Sequence, residues 1–298
     1  MIKLAAYGSR WLWLLCLLCS VAALPTPAAA RAIRIVAAEN FYGDIAAQLA
    51  GPQASVSSVL RNPDADPHLF EADVATARAV ADADLVIYNG LNYDTWMTRL
   101  LTGTRSPRRL VVEAAAAAHA ASGSNPHLWY DTRAMQAVAE AICERLAEID
   151  PAHRALYAQR AERFRNSLGA LETEIRRVRA RYAGTPVAAT EPVADYLVTA
   201  LGLTMRERRF QLAIMNATEP SARETAAFEE ALRRRQVRVL IYNRQASGSA
   251  VRRLLDIAHK SGVPIVGVTE TEPAGRSYQQ WMLGELGALA RALAGSQP

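Results

Sequence analysis

The sequence predicts an α/β protein of two lobes, each a parallel β-sheet flanked by helices, joined by one long rigid helix. Three observations predict it. Short runs rich in Val, Ile and Leu alternate with helical patterns both before and after residue 150, the pattern of parallel sheets covered on both faces. Between Pro151 and Tyr182, apolar residues fall at Tyr157, Ala161, Phe164, Leu168, Leu171, Ile175, Val178 and Tyr182. That four-three spacing draws one narrow stripe along a helix. Finally, the residues best suited to hold a ligand sit just past strands or on loops braced by proline, where open α/β sheets bind.

The first thirty residues stand apart as a signal peptide. Lys3 and Arg10 give a positive start, Trp11 to Leu24 an apolar run, and Ala28-Ala29-Ala30 a small-residue cleavage site. The run is shorter than the ~20 residues of a membrane span. Cys19 follows Leu17-Leu18, a poor lipoprotein box, so no lipid anchor is expected. Cleavage removes Cys16 and Cys19 and leaves Cys143 alone on a helix, so no disulfide can form within one chain. An exported chain without such a staple suits a bacterial periplasm. Loss of Lys3 and Arg10 takes two from the 34 basic residues, set against 29 acidic, and lowers the net charge from +5 to +3. With only two lysines and a basic run at Arg233 to Arg238 placed on a helix end, where cations suit the dipole, nothing points to nucleic acid.

In the first lobe, residues 31–149, strands are expected at Ile33–Ala37, Ser55–Leu60, Leu85–Tyr88 and Leu110–Val112. Helices are expected at Phe41–Ala50, from Asp73, around Trp96, and from Thr132 to Ile149. Ala114 to Ser124 reads as a low-complexity surface linker. Residues 150–183 form the connecting helix. Asp150 caps it, Pro151 takes the first position, and Gly184 with Pro186 stops it. At ~1.5 Å per residue it would run ~48 Å, with Arg160, Glu162, Arg163 and Arg176 on a solvated face. A dimerising coiled coil is the alternative use of such a stripe. The second lobe, residues 184–298, repeats the pattern, with strands at Pro186–Ala189, Val237–Tyr242 and Pro264–Val268. Its helices run to Leu201, from Ser221 through Arg234, over Ser249–Ser261, and over Ser277–Leu293.

Applied as a filter, the strand-end rule selects His68, His127, Glu191 and Glu270, two before the connecting helix and two after it. Three of them adjoin a proline (Pro67, Pro126, Pro192), and restricted backbone positions a ligand well. Histidine is scarce, and the other three (His119, His153, His259) lie in the alanine stretch or among charged helix residues. Asp66-Pro67-His68-Leu69-Phe70 and Asn125-Pro126-His127-Leu128-Trp129 repeat one local motif at two distant places. Asn40, Asn243 and Arg244 are expected to support the cleft loops.

These motifs resemble the zinc/manganese-binding periplasmic proteins of metal ABC importers. That family has both Pro-His loops, an Asn-Gly-Leu turn before a helix with Trp (Asn89-Gly90-Leu91, Trp96), a Glu-Pro-Ser helix start (Glu219-Pro220-Ser221) and a late Tyr-x-x-x-Met (Tyr278, Met282). The order matches over nearly the whole mature chain. The resemblance implies two α/β lobes on one long helix and a metal held between them by His68, His127, Glu191 and a fourth group. Glu270 falls where most members have Asp, with Glu272 as its competitor. It also implies a membrane permease and an ATPase as partners, no enzymatic activity, and a monomer.

Two imidazoles and two carboxylates suit a divalent transition metal, Mn²⁺ or Zn²⁺ and also Fe²⁺. The resemblance leans to Mn²⁺, because Glu rather than His at the third position accompanies manganese or iron, and because His119 stands alone where zinc members carry a His-rich loop. Affinity alone favours Zn²⁺. Two rival functions share some of these residues. His68, His127 and Glu191 can be drawn as a catalytic zinc triad of a hydrolase. Trp96, Trp129 and Trp281 can be drawn as the wall of a cleft for an iron–siderophore or cobalamin.

Overall fold

The computed structural model describes residues 31–63, 67–246 and 248–295. The signal segment, with Lys3, Arg10, Cys16 and Cys19, lies outside the described residues, as do Asp64 and Asp66 of the first Pro-His loop. The elements run β1 (Ile33–Glu39), α1 (Asn40–Ala50), β2 (Ala54–Leu60), α2 (Val74–Asp82), β3 (Leu85–Tyr88), α3 (Thr95–Gly103), β4 (Leu110–Glu113), α4 (Ala114–Ala117) and α5 (Thr132–Ile149). There follow α6 (Arg154–Ser167), α7 (Gly169–Tyr182), β5 (Pro186–Ala189), α8 (Asp195–Ala200), β6 (Thr204–Arg206), α9 (Arg208–Met215), α10 (Ala222–Arg233), β7 (Leu240–Asn243), α11 (Ser249–Ser261), β8 (Ile265–Val268) and α12 (Tyr278–Leu293).

Both sheets are parallel, with strand orders β2-β1-β3-β4 and β6-β5-β7-β8. The fold is thus α/β, two parallel four-stranded sheets flanked by helices. β1 is buried along nearly its whole length because it is paired on both sides, whereas edge strand β2 alternates in exposure. α1 lies close on β2, and Gly43 permits the approach: a Cβ there would collide with Ser58 Oγ. In each sheet the order reverses between the first and third strands, which opens a crevice at their carboxyl ends. Asn40 and Asn89 follow β1 and β3 there, and Glu191 and Asn243 follow or end β5 and β7.

The connecting helix is not unbroken. Pro151–His153 is a 3₁₀ turn, and α6 and α7 are separated by Leu168 (φ −74°, ψ −14°). The hitch has local causes: Ser167 Oγ donates back to Phe164 O (2.6 Å), and Gly169, a poor helix former, follows. The stripe nonetheless keeps its phase. Tyr157, Ala161, Phe164, Leu168, Leu171 and Val178 are all buried, with Ile175 and Tyr182 packed against them. α6 packs on α1 and α5, while α7 packs on α12, so each half serves a different part of the core. The Asp150 side chain makes no N-cap hydrogen bond; its Oδ2 accepts from Tyr157 Oη (2.7 Å) and pairs with His153 Nδ1 (2.6 Å). Arg160 departs from the solvated face and donates to Ala50 O (2.5 Å) and Gln53 Oε1 (2.8 Å), tying the helix to the end of α1.

Three further differences follow from packing. The alanine stretch opens as α4, with Ala114 and Ala115 buried, because alanine is the best helix former and small enough to sit against α5. The strand expected from Val237 is regular only from Leu240, although Arg238 N already donates to Pro186 O of β5 (2.7 Å) and Val237 and Val239 are buried. β6 and α9 were not apparent in the sequence: β6 is a three-residue edge strand, too short to show an alternating pattern. No helix among the described residues is long and apolar enough to cross a membrane.

Candidate metal centre

His127 is fixed by its neighbours. Asn125 Nδ2 donates to Pro192 O (2.6 Å), which turns Asn125 Oδ1 toward His127, where it accepts from the backbone N (3.0 Å) and lies 2.5 Å from Nδ1. An acceptor at Nδ1 requires the ring to carry its proton there, so in the neutral imidazole Nε2 presents a lone pair. Asn89 Nδ2 holds the same loop through Pro126 O (2.9 Å), and Asn89 Oδ1 accepts from Tyr42 Oη (2.7 Å). The ring lies edge-on to Trp129 (5.2 Å) and Tyr93 (6.0 Å). His68 sits in a 3₁₀ turn after Pro67, its side chain 40% exposed.

Both imidazoles face one oxygen. Glu270 Oε2 lies 3.4 Å from His68 Nε2 and 3.3 Å from His127 Nε2, and the ligand atoms of these three residues all lie within 4.8 Å of one another. His127 Nε2 is buried and makes no hydrogen bond. Tyr93 Oη donates to the same Oε2 (3.0 Å), while Asn243 Nδ2 donates to Oε1 (2.5 Å). The Glu270 backbone N is held by Gln245 Oε1 (2.6 Å). Glu191 stands outside the trio but is linked to it: Asn243 Nδ2 also donates to Glu191 Oε2 (2.6 Å).

The electrostatics agree with a site made for a cation. Burial pushes the Glu270 carboxyl upward, but the facing imidazoles of His127 and His68, when they carry a second proton, outweigh it and hold the group well below the usual carboxylate range. Glu191 is raised, first by burial and then by the charge of Glu270, with the Asn243 hydrogen bond opposing. Burial and the Glu270 charge drive Tyr93 far upward, so its phenol remains a donor. Two buried carboxylates with partly opposed imidazoles gain most from a divalent ion among them.

Of the residues selected in the sequence, His68, His127 and Glu270 converge, Glu191 joins them through Asn243, and Glu272 does not. The loop after Glu270 turns Glu272 away toward Asp44, and Asn40 brackets its backbone. Arg244 does not support the cleft. Its side chain is exposed and crosses Gly267, where a Cβ would come within 2.7 Å of Arg244 Cγ. Trp96, Trp129 and Trp281 are 6%, 0% and 1% exposed, so they form core and not the wall of an open cleft. Tyr93, Asn125 and Gln245 were not assigned roles from sequence. Asn125 was visible only as the first residue of a Pro-His motif, and Tyr93 and Gln245 only by position, each within two residues of a turn that follows a strand.

Two imidazoles and a carboxylate that converge from the loops of two parallel-sheet lobes define a class of two-lobe α/β proteins with a candidate metal centre between the lobes. The chain belongs to the family described as zinc-uptake complex component A, periplasmic, which it matches over residues 35–292. It is 30% identical over 145 residues to the manganese-binding lipoprotein MntA of Halalkalibacterium halodurans, covering 47% of each chain. It is 24% identical over 281 residues to a putative metal-binding protein of Treponema pallidum, covering 87% of this chain and 86% of that one. The chain spans about half the length of several curated relatives it matches, among them MntA (47%) and the streptococcal lipoprotein ScbA (54%). In fold it is similar to the periplasmic zinc-binding protein TroA of Treponema pallidum (TM-score 0.74, 20% identity, 87% of this chain and 98% of that one). It is likewise similar to the SBP FpvC of Pseudomonas aeruginosa in complex with Mn²⁺ (TM-score 0.72, 20% identity, 89% and 99%). Several relatives are named lipoproteins, which leaves the expected absence of a lipid anchor without support.

Proposed function

We propose that this protein captures a divalent transition metal outside the cytoplasm and delivers it to an ABC importer. The reading rests on one observation: the buried Nε2 of His127 makes no hydrogen bond and, with His68, faces Glu270 Oε2. A lone pair so placed suits a metal bond. His68, His127 and Glu270 are the proposed ligands, and Glu191 is the fourth. The cargo is Mn²⁺ or Zn²⁺, and the donor types lean to Mn²⁺. The family points to a membrane permease and an ATPase as partners, and we take the protein to act as a monomeric carrier, not as an enzyme.

Residues 31–149 and 184–298 are the proposed lobes, with 150–183 between them. Cross-links such as Tyr130 Oη to Thr269 O (2.9 Å) and Tyr278 Oη to Trp129 O (2.7 Å) favour small loop movements over wide opening. Release then requires the permease to draw the ligand loops apart. The test is equilibrium binding by chelator-stripped protein. One equivalent of Zn²⁺ or Mn²⁺ should bind, and His127→Ala and Glu270→Ala should abolish binding while Glu272→Gln retains it. Stoichiometric binding that survives in both of the first two variants would refute the assignment.

A further inference from the structure

We infer that Asn243 determines how many oxygen atoms the metal receives, and through that number the choice between Zn²⁺ and Mn²⁺; this rests on the metal-binding reading above. The Asn243 amide has one possible orientation. Its Oδ1 accepts from the Gln245 backbone N (3.0 Å), so its NH₂ must face the two carboxylates. There it donates to Glu191 Oε2 (2.6 Å) and to Glu270 Oε1 (2.5 Å), using both of its protons. One oxygen of each carboxylate is thereby engaged and held toward the amide. The other Glu270 oxygen, Oε2, is the one that faces His68 and His127. A carboxylate grips a metal with both oxygens only if both can turn to it, and the Asn243 bridge opposes that turn at each residue.

The consequence is a metal with two imidazole nitrogens and one oxygen from each carboxylate, the four-coordinate arrangement that Zn²⁺ adopts. Mn²⁺ favours more oxygen donors in an octahedral shell. The donor types at this site thus lean to manganese, whereas the hydrogen-bonded bridge restricts the site to a zinc-like coordination number. Asn243 is a positioning residue in this scheme, since it touches both carboxylates and not the metal.

X-ray absorption on the zinc-loaded wild-type protein tests this without a variant, and two nitrogens and two oxygens are expected. Five or six ligands would overturn the role of Asn243 while leaving metal binding intact, and no bound metal at all would overturn both readings. In Asn243→Ala, checked for an unchanged thermal melt, the oxygen number should rise. Zinc affinity should fall roughly 10- to 100-fold while manganese affinity falls less, since outer hydrogen-bond partners contribute on that scale. An equal loss for both metals with an unchanged ligand number would mean that Asn243 serves structure alone, and would overturn the inference.

Discussion

Asn40 and Glu272 hold each other by two hydrogen bonds: Asn40 Nδ2 donates to Glu272 O (2.7 Å), and Glu272 N donates to Asn40 Oδ1 (3.0 Å). One side chain at the start of α1 thus brackets the backbone of a loop 232 residues away in sequence. That loop carries Glu270 two residues earlier, so the first sheet positions a carboxylate that the second sheet supplies.

Replacing Asn40 by Ala removes both bonds and frees the loop. We expect metal affinity to fall roughly tenfold, in keeping with outer-shell contributions, while the ligands themselves are unchanged. Isothermal titration with Zn²⁺ measures it, and unaltered affinity would show that the loop is held elsewhere.

Asn125 acts on His127 in the same manner. Asn125→Ala loses the acceptor that keeps the proton on Nδ1, and affinity should fall roughly 10- to 100-fold. Nitrogen-resolved NMR of the imidazole gives an independent check: the Nδ1–H tautomer should dominate in the wild type and become mixed in the variant.

Stability of the metal-free protein should fall as pH rises from about 5 to 9. Burial, then Asp44, pushes Glu272 from its ordinary 4.5 up to about 9. Burial raises Glu285 to about 7 and Asp94 to about 6. A carboxyl raised on folding binds more protons in the native than in the unfolded state, so stability declines between its unfolded and folded values. Glu270 works in the opposite sense, but below its ordinary 4.5 and outside this window. Glu272→Gln, which mimics the protonated form, should raise the melting temperature at pH 8 and leave it nearly unchanged at pH 5. Equal effects at both values would contradict the assignment.

Leu168, fully buried at the hitch between α6 and α7, is expected to lose about 3 kcal/mol on replacement by Ala, in the range of core leucines. Ile175→Ala, at a partly exposed position of the same stripe, should cost less. Urea unfolding of the two variants measures the difference.

The alternation of strands and helices, the helical stripe and the two Pro-His loops were legible in the sequence, because each is a local pattern repeated in phase. The hitch at Leu168 was hidden because a single displaced residue leaves that phase intact; Ser167 and Gly169 were its only marks. The pairing of His127 with Glu270 could be guessed from strand ends, but the bridge from Asn243 to Glu191 could not. It depends on where β5 and β7 place two side chains 52 positions apart in sequence. The choice of Glu270 over Glu272 follows from the turn of one loop. Two glutamates in a Thr-Glu-Thr-Glu run look alike until Asn40 holds one of them away.

The most direct test is a crystal of the metal-loaded protein with anomalous difference maps at the zinc and manganese edges. A single peak bonded to His68 Nε2, His127 Nε2, Glu270 Oε2 and an oxygen of Glu191 is expected. A peak at any other group of residues, with this cluster empty, would contradict the proposed centre.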